Sequence, residues 1–227
     1  MKLYIGNKNY SSWSMRAWVL LRQAGIEFEE VWLSMASFAA DTGFKQGLGA
    51  VSPAGKVPVL VDGDLTVWDT LAIAEYLAER FPDRQLWPRA AAARARARSV
   101  CAEMHAGFAA LRGACGMNIQ ARLPQAGAIV WRDNPAVRAD VARIVQMWQA
   151  LLAEHGGPLL FGQFTIADAF YAPVVMRLRT YALPVPEDVA AYMRRVCELP
   201  GVAAWIDGAL AEQDFLPRLE PHRLAAV

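Results

Sequence analysis

The sequence predicts an α/β domain followed by an all-α helical bundle. Up to residue 81, strand-like and helix-like patterns alternate, whereas the segments after residue 88 are helical throughout. At 227 residues and 55% hydrophobic content, the chain has enough apolar material for a large core. These observations predict two units of different class in one chain.

The N-terminal elements follow from local patterns. Residues 2–5 are short and β-prone, residues 14–24 carry apolar side chains at helical spacing, and residues 28–33 form a second strand pattern. Residues 34–53 have no clear period. Strand patterns at 57–61 and 65–68 then flank Asp62-Gly63-Asp64, for which we expect a type I′ hairpin turn, and an apolar helical stripe covers 70–81. The predicted order is βαβ, a loop, then ββα.

The predicted linker is residues 82–88, which contain two prolines and little periodicity. We therefore place the domains at residues 1–81 and 89–227. The C-terminal domain is predicted to contain helices over residues 90–111, 135–153, 165–181, 189–199 and 202–211.

Composition excludes several classes of function. The 23 Lys and Arg against 22 Asp and Glu leave a formal charge of +1, which supplies no field for nucleic acid or anionic lipid. No apolar run resembles a secretory signal or a membrane span, so we expect a cytoplasmic protein. The three cysteines and three histidines form no ligand-like cluster, which predicts no metal site.

Four stretches of the chain carry a resemblance to a known family: YSSWSMR at 10–16, AGKVPVL at 54–60, WDTLAIAEYL at 68–77 and FTIAD at 164–168. Through them the whole chain resembles the glutathione S-transferase superfamily, and its Ser-Ser-x-Ser-x-Arg stretch is most similar to serine-type members of the zeta class and related bacterial members. The first domain, with Val57-Pro58 opening its third strand, resembles the thioredoxin-like fold, which implies that this proline is cis. The resemblance further implies glutathione as co-substrate, a small apolar electrophile as the second substrate that is conjugated or reduced, a cytoplasmic homodimer and a role in detoxification.

Ser11 and Ser12 are the candidate catalytic residues. They lie between the first strand and first helix, where free N–H groups and the helix dipole favour an anion such as a thiolate. A free thiol has a pKa of about 8.5, and lowering it by about two units requires about 2.7 kcal/mol, which one hydroxyl donor and a helix terminus can supply. The resemblance admits either serine as the group that faces the sulfur, and the alternative role for each is a helix cap without a catalytic function.

Four residues are candidates for binding glutathione. Asp69 and Thr70 start the third predicted helix, where an anion-binding N-terminus beside an acid suits the carboxylate and ammonium of the γ-glutamyl group. The backbone of Val57 can pair with the cysteinyl unit like an added strand, and Lys56 is placed to reach the glycyl carboxylate.

The wall for the second substrate is assigned to Trp13, Met104, His105 and Phe108. The helix after the linker should face the serines, although Met and aromatic residues at helical spacing are more often core residues. Thr165 and Asp168 have the spacing of a capping box, and Pro173 should kink or interrupt the helix that they start.

Two other functions are compatible with the pattern. The resemblance to the zeta class suggests a glutathione-dependent cis-trans isomerase of maleylacetoacetate type, but that class has Cys after its two serines, where this chain has Trp13. Related folds also serve as non-catalytic binding modules. Because hydroxyl and acid groups are retained at both helix starts, we favour a transferase.

Overall fold

The computed structural model describes residues 1–36, 43–49, 51–52 and 54–222. Its N-terminal half contains one sheet of four strands in the order β2-β1-β3-β4. β1 is parallel to β2 and antiparallel to β3, while β3 and β4 are antiparallel. The strands are β1 (Lys2–Ile5), β2 (Glu29–Trp32), β3 (Val59–Asp62) and β4 (Leu65–Val67).

The described residues form ten α-helices, seven of them after residue 88. The N-terminal half holds α1 (Ser12–Gln23), α2 (Gly43–Gly49) and α3 (Thr70–Arg80). The fold class predicted from the sequence is confirmed: a four-stranded α/β unit precedes a helical bundle. The bundle comprises α4 (Ala91–Ala106), α5 (Ala109–Ala114), α6 (Pro124–Asp133), α7 (Pro135–His155), α8 (Ile166–Thr180), α9 (Glu187–Glu198) and α10 (Pro200–Ala211).

The hairpin between β3 and β4 differs in turn type from the prediction. Asp62 pairs with Leu65, so the two central residues are Gly63 and Asp64. Gly63 has φ +58°, whereas Asp64 is not among the residues with positive φ. A type I′ turn requires positive φ at both central positions, and positive φ at the first alone matches type II′. The expected type I′ turn is therefore wrong, because Asp-Gly straddles the end of β3.

The single helix predicted over residues 90–111 is two helices in the structure. α4 ends at Ala106, and Phe108, with φ +57°, turns the chain into α5. α6 was not predicted from the sequence: its one fully buried residue is Gly127, and the apolar residues that it packs on the core, Ala126, Val130 and Trp131, are only partly buried. Part of the segment 34–53, and residues 223–227 at the end of the predicted bundle, lie outside the described residues.

α1 joins the two halves of the molecule. One face packs on the sheet and α3, and the others pack against α8 and α10 of the bundle. The Trp18 and Trp205 rings meet edge to face at 5.4 Å between centroids. One continuous apolar core therefore runs from Leu3 in β1 to Trp148 in α7.

The start of α8 is a capping box, as the sequence indicated. Asp168 is fully buried and accepts hydrogen bonds from the backbone N–H groups of Thr165 (2.9 Å) and Leu160 (3.2 Å) and from the Tyr192 hydroxyl (3.2 Å). Pro173 lies inside α8 but does not interrupt it, because the helix continues to Thr180.

The segment after α10, residues 212–220, is here called the C-terminal strap. The Glu212 carboxylate accepts hydrogen bonds from the backbone N–H groups of Lys8 (2.6 Å) and Asn9 (3.0 Å), and Asp214 accepts from the Asn7 side chain (3.0 Å). The strap thus holds the loop between β1 and α1 in place. None of the helices in the described ranges is both long and apolar enough to cross a lipid bilayer.

Candidate active site

A cleft of about 490 Å³ lies between the α/β half and the first two helices of the bundle. It brings together residues from the start of α1, the loop before β3, the start of α3, and α4 and α5. The cleft is lined by Trp13, Ala54, Lys56, Val57, Pro58, Trp68, Asp69, Thr70, His105 and Arg112.

Ser11 caps α1 and is buried. Its hydroxyl donates to the Ser14 hydroxyl at 2.7 Å and accepts from the Ser14 backbone N–H at 3.4 Å. Ser14 Oγ in turn accepts from the backbone N–H of Gly6 at 3.1 Å. The hydroxyl hydrogen of Ser11 is therefore used within the fold, in the manner of an ordinary helix cap.

Ser12 is the first residue of α1 and is partly exposed. Its Oγ accepts a hydrogen bond from Nη2 of Arg177, on α8, at 3.1 Å. A hydroxyl carries one donor and two acceptor sites, so this bond leaves the Ser12 hydrogen available. Of the two candidate serines, Ser12 has the hydroxyl that can donate to a ligand.

The Trp13 indole is surrounded by polar side chains from α1, α4 and α5. The His105 ring meets it edge to face at 5.0 Å between centroids. The Arg16 guanidinium lies 4.1 Å from the ring centroid and that of Arg112 lies 5.3 Å from it. Cations at such distances are attracted by the indole face. The wall near Trp13 is thus cationic as well as aromatic.

Arg16, Arg112 and Arg177 form a cluster of cations beside the cleft. Arg16 is 2% exposed and Arg177 is 7% exposed. Burial, together with Arg112 and Arg177, lowers the pKa of Arg16 to about 9, and burial with Arg112 lowers the pKa of Arg177 to about 10. In the part of the chain that the structure describes, none of the three forms an ion pair with a carboxylate. The cluster favours an anion nearby.

The start of α3 presents an acid and an unsatisfied hydroxyl to the cleft. Asp69 caps the helix by accepting from the Leu71 backbone N–H at 2.9 Å, and its other oxygen lies 3.3 Å from Nε2 of His105. Thr70 is buried, and its Oγ1 has no hydrogen-bond partner among the described residues. A buried hydroxyl without a partner costs free energy, which a ligand can recover.

The loop before β3 contains a cis peptide bond between Val57 and Pro58, as the resemblance implied. Val57 is half-buried and Lys56 is exposed on the cleft rim. The Ser52 hydroxyl bonds both the N–H (3.4 Å) and the C=O (3.3 Å) of Lys56. These bonds fix the backbone of Lys56 directly before the cis bond.

The structure does not bring all the predicted residues together. Of the predicted residues, the cleft lining includes Trp13, Lys56, Val57, Asp69, Thr70 and His105, but not Ser11, Ser12, Met104 or Phe108. Met104 and Phe108 are 1% and 7% exposed and belong to the apolar core. Sequence reasoning missed Arg112 and Arg177. A possible signal was their occurrence in otherwise apolar helical segments, where a charge is rarely buried without a role.

Two family models match the two halves of the chain. The family model described as the glutathione S-transferase N-terminal domain matches residues 10–80, and that of the C-terminal domain matches residues 92–208. The glutathione S-transferase GstA of Escherichia coli O157:H7 is 30% identical over 199 residues, which cover 83% of this chain and 90% of that protein. A probable maleylacetoacetate isomerase of Caenorhabditis elegans is 26% identical over 182 residues, covering 80% of each chain.

Solved structures show the same architecture. A glutathione transferase homologue from Burkholderia, with bound glutathione, has a TM-score of 0.67 and 25% identity, covering 92% of this chain and 97% of its own. A maleyl pyruvate isomerase, described as a bacterial zeta-class glutathione S-transferase, has a TM-score of 0.68 and 22% identity, covering 93% and 99%. The chain belongs to the glutathione S-transferase family. Its function is that of a glutathione transferase, an enzyme.

Proposed function

We propose that the enzyme binds glutathione in this cleft, activates the thiol through Ser12 and transfers the glutathionyl group to a small electrophile. The observation that carries the proposal is the buried Thr70 hydroxyl, which lies where a helix N-terminus meets the cleft and has no hydrogen-bond partner among the described residues. A helix start with a free hydroxyl is suited to a carboxylate. The solved Burkholderia relative, which holds glutathione, supports the same ligand here.

The γ-glutamyl group is assigned to the start of α3. Its carboxylate accepts from the Thr70 hydroxyl and the first N–H groups of the helix, and its ammonium bonds the Asp69 carboxylate. Asp69 can make that contact because one of its oxygens caps the helix while the other faces His105 across the cleft. The γ-glutamyl group therefore binds beside the Asp69 carboxylate of one domain and the His105 imidazole of the other.

The other two units of glutathione are assigned to the loop before β3. The cysteinyl unit pairs with the backbone of Val57 in the manner of an added strand. Lys56, exposed at the rim, binds the glycyl carboxylate. The fixed backbone of Lys56 and the cis bond after Val57 support this alignment.

Ser12 is proposed as the residue that faces the sulfur, with Ser11 as the cap of α1. The Ser11 hydrogen is bonded to Ser14, whereas that of Ser12 is available. A hydroxyl donor at a helix N-terminus, beside a cationic cluster, stabilises a thiolate over a thiol. The ionised sulfur then forms a bond to an electrophilic carbon as the leaving group departs with its electron pair.

The electrophile is assigned to the part of the cleft that is lined by Trp13, His105 and Arg112. The rings of Trp13 and His105, which contact each other edge to face, give this wall apolar surface. Met104 and Phe108, which the sequence also placed in this wall, lie in the apolar core. Isomerisation of the maleylacetoacetate type remains the second candidate, supported by the names of two similar proteins.

Family membership also supports a broader assignment. We infer a homodimer that acts in the cytoplasm in detoxification, with a glutathione-binding domain at residues 1–81, a linker at 82–88 and a helical domain at 89–227. Size-exclusion chromatography with light scattering measures the oligomeric state directly, and a mass equal to one chain excludes the dimer.

The proposed function is tested by isothermal titration with reduced glutathione. We expect binding to wild type, a Kd weakened at least tenfold in Asp69→Ala, and unchanged Kd in the control Asp64→Ala, which removes an exposed acid of the hairpin. Ser12→Ala should still bind the tripeptide but no longer lower its thiol pKa, while Ser11→Ala should lower stability. Absence of binding by a folded wild-type protein would overturn the proposal.

A further inference from the structure

Arg177 reaches from the bundle to the proposed catalytic serine. It lies on α8, is 7% exposed and forms hydrogen bonds with three groups. Its Nη1 donates to the backbone carbonyls of Arg112 (3.2 Å) and Cys115, and its Nη2 donates to Ser12 Oγ (3.1 Å). The two carbonyls fix the guanidinium plane, so the third bond points at Ser12 with little freedom.

The bond from Arg177 determines what the Ser12 hydroxyl can do. A lone pair of Oγ is occupied by a cationic donor, and among the described residues the hydroxyl hydrogen has no acceptor. A hydroxyl that accepts from a cation is polarised and becomes a stronger donor. Because Arg177 is buried, salt in the solvent screens this effect only weakly.

We propose that Arg177 is a positioning residue: it holds Ser12 Oγ so that the hydroxyl hydrogen faces the glutathione sulfur, and it strengthens that hydrogen bond. The proposal rests on the proposed function of Ser12. It also accounts for the observation that Arg177 has no carboxylate partner in the described ranges, since a carboxylate beside Arg177 would compete with Ser12 for the guanidinium. The neighbouring cations Arg16 and Arg112 add positive potential at the same place.

The test compares Arg177→Gln and Arg177→Lys with the control Arg179→Gln. Arg179 lies on the same helix and donates to Cys197 Sγ at 3.0 Å, in contact with α9 instead of α1. The measured quantity is the thiol pKa of bound glutathione. It is obtained from the ultraviolet absorbance of the thiolate as a function of pH at saturating glutathione. We expect Arg177→Gln to raise this pKa by about one unit, Arg177→Lys by less, and Arg179→Gln not at all. The Kd for glutathione should stay within about threefold, since the tripeptide ends bind elsewhere.

A double-mutant cycle with Ser12→Ala separates positioning from a general structural effect. In the Ser12→Ala background, Arg177→Gln should change the thiol pKa little, because the hydroxyl through which it acts is gone. Fully additive shifts would overturn the proposal. An unchanged thiol pKa in Arg177→Gln would also overturn the proposal, and if that variant does not fold, an unchanged thiol pKa in Arg177→Lys would do so. These results would leave the proposed function intact. A wild-type protein that does not lower the thiol pKa of glutathione would refute the proposed function itself.

Discussion

Arg16 is a buried cation that forms no direct ion pair with a carboxylate in the described part of the chain. Its guanidinium lies between the rings of Trp13 (4.1 Å) and Phe170 (5.1 Å), and its Nε and Nη1 have no partner among the described residues. A charge in this position is costly, and replacing such a charge by an apolar side chain of similar length is often stabilising. Arg16 therefore serves the electrostatics of the site at the expense of stability.

We predict that Arg16→Met increases the free energy of unfolding by about 1 to 2 kcal/mol, since the methionine keeps the packing against both rings and removes the desolvated charge. Urea unfolding at neutral pH measures the change. The control Arg22→Met alters an exposed arginine in the last turn of the same helix and should shift stability by less than about 0.5 kcal/mol. A clear loss of stability in Arg16→Met would contradict the prediction.

Candidate site residues could be proposed from the sequence where the requirement is local. Ser11 and Ser12 at the start of α1, and Asp69 and Thr70 at the start of α3, stand out because a helix start is defined by a few consecutive residues. The burial of Met104 could not be predicted, because it depends on how α4 packs against helices such as α8, and Phe108 lies beyond α4, in the turn into α5. Arg177 could not be found at all, since it meets Ser12 across 165 residues of sequence.

At the scale of single elements, α6 depends on one glycine. Gly127 is buried, and a Cβ atom added there would lie 1.7 Å from the carbonyl oxygen of Tyr181. The close approach lets the apolar residues of the same helix, Ala126, Val130 and Trp131, pack on the bundle. It also explains why the sequence pattern did not reveal this helix, because a glycine that permits contact looks like a helix breaker.

Gly127→Ala is expected to lower the free energy of unfolding by about 2 to 3 kcal/mol, since the clash with Tyr181 outweighs the higher helix propensity of alanine. Gly113→Ala is the matched control, because Gly113 is an exposed helical glycine with open space around its Cβ position. That variant should gain about 0.5 to 1 kcal/mol. Denaturant unfolding of both variants measures whether the free energy of unfolding falls in Gly127→Ala and rises in Gly113→Ala. The same change in both variants would show that the approach of α6 to Tyr181 is not rigid.

The start of α8 should give a pH-dependent contribution to stability. Burial raises the pKa of Asp168 from its usual value to about 6. The folded protein therefore holds this proton more tightly than the unfolded chain, so the contribution is fully present below about pH 4 and is lost as the pH rises through 6. Relative to Asp168→Asn, which does not titrate, wild type should lose about 2 to 3 kcal/mol of stability between pH 4 and pH 7. The free energy of unfolding of both proteins is measured by denaturant titration from pH 4 to pH 7. If it changes with pH in the same way in wild type and in Asp168→Asn, the prediction is contradicted.

At the scale of the whole molecule, the C-terminal strap ties the end of the chain to its beginning. The Glu212 side chain accepts three hydrogen bonds, from the consecutive backbone N–H groups of Lys8 and Asn9 and from the Trp32 indole. The loop that it holds leads directly into the serines of α1. Nothing in the sequence of the strap indicates this contact, because it links residues about two hundred positions apart.

We predict that Glu212→Ala lowers the free energy of unfolding by about 1 to 3 kcal/mol, because it leaves these N–H groups without their acceptor. Glu198→Ala, which removes an exposed acid at the end of α9, should have an effect below about 0.5 kcal/mol. Thermal and urea unfolding provide the comparison. If both variants are equally stable, the strap does not contribute to holding the loop.

The shared position of α1 has a consequence for synthesis of the protein on the ribosome. The strands and helices of the α/β half emerge first, yet one flank of α1 is covered only by α8 and α10, which begin at residues 166 and 200. Until those residues emerge, the apolar flank of α1 has no native partner, and an exposed surface of this kind is prone to aggregation. The nascent N-terminal half therefore passes through a long interval in which it benefits from chaperone protection.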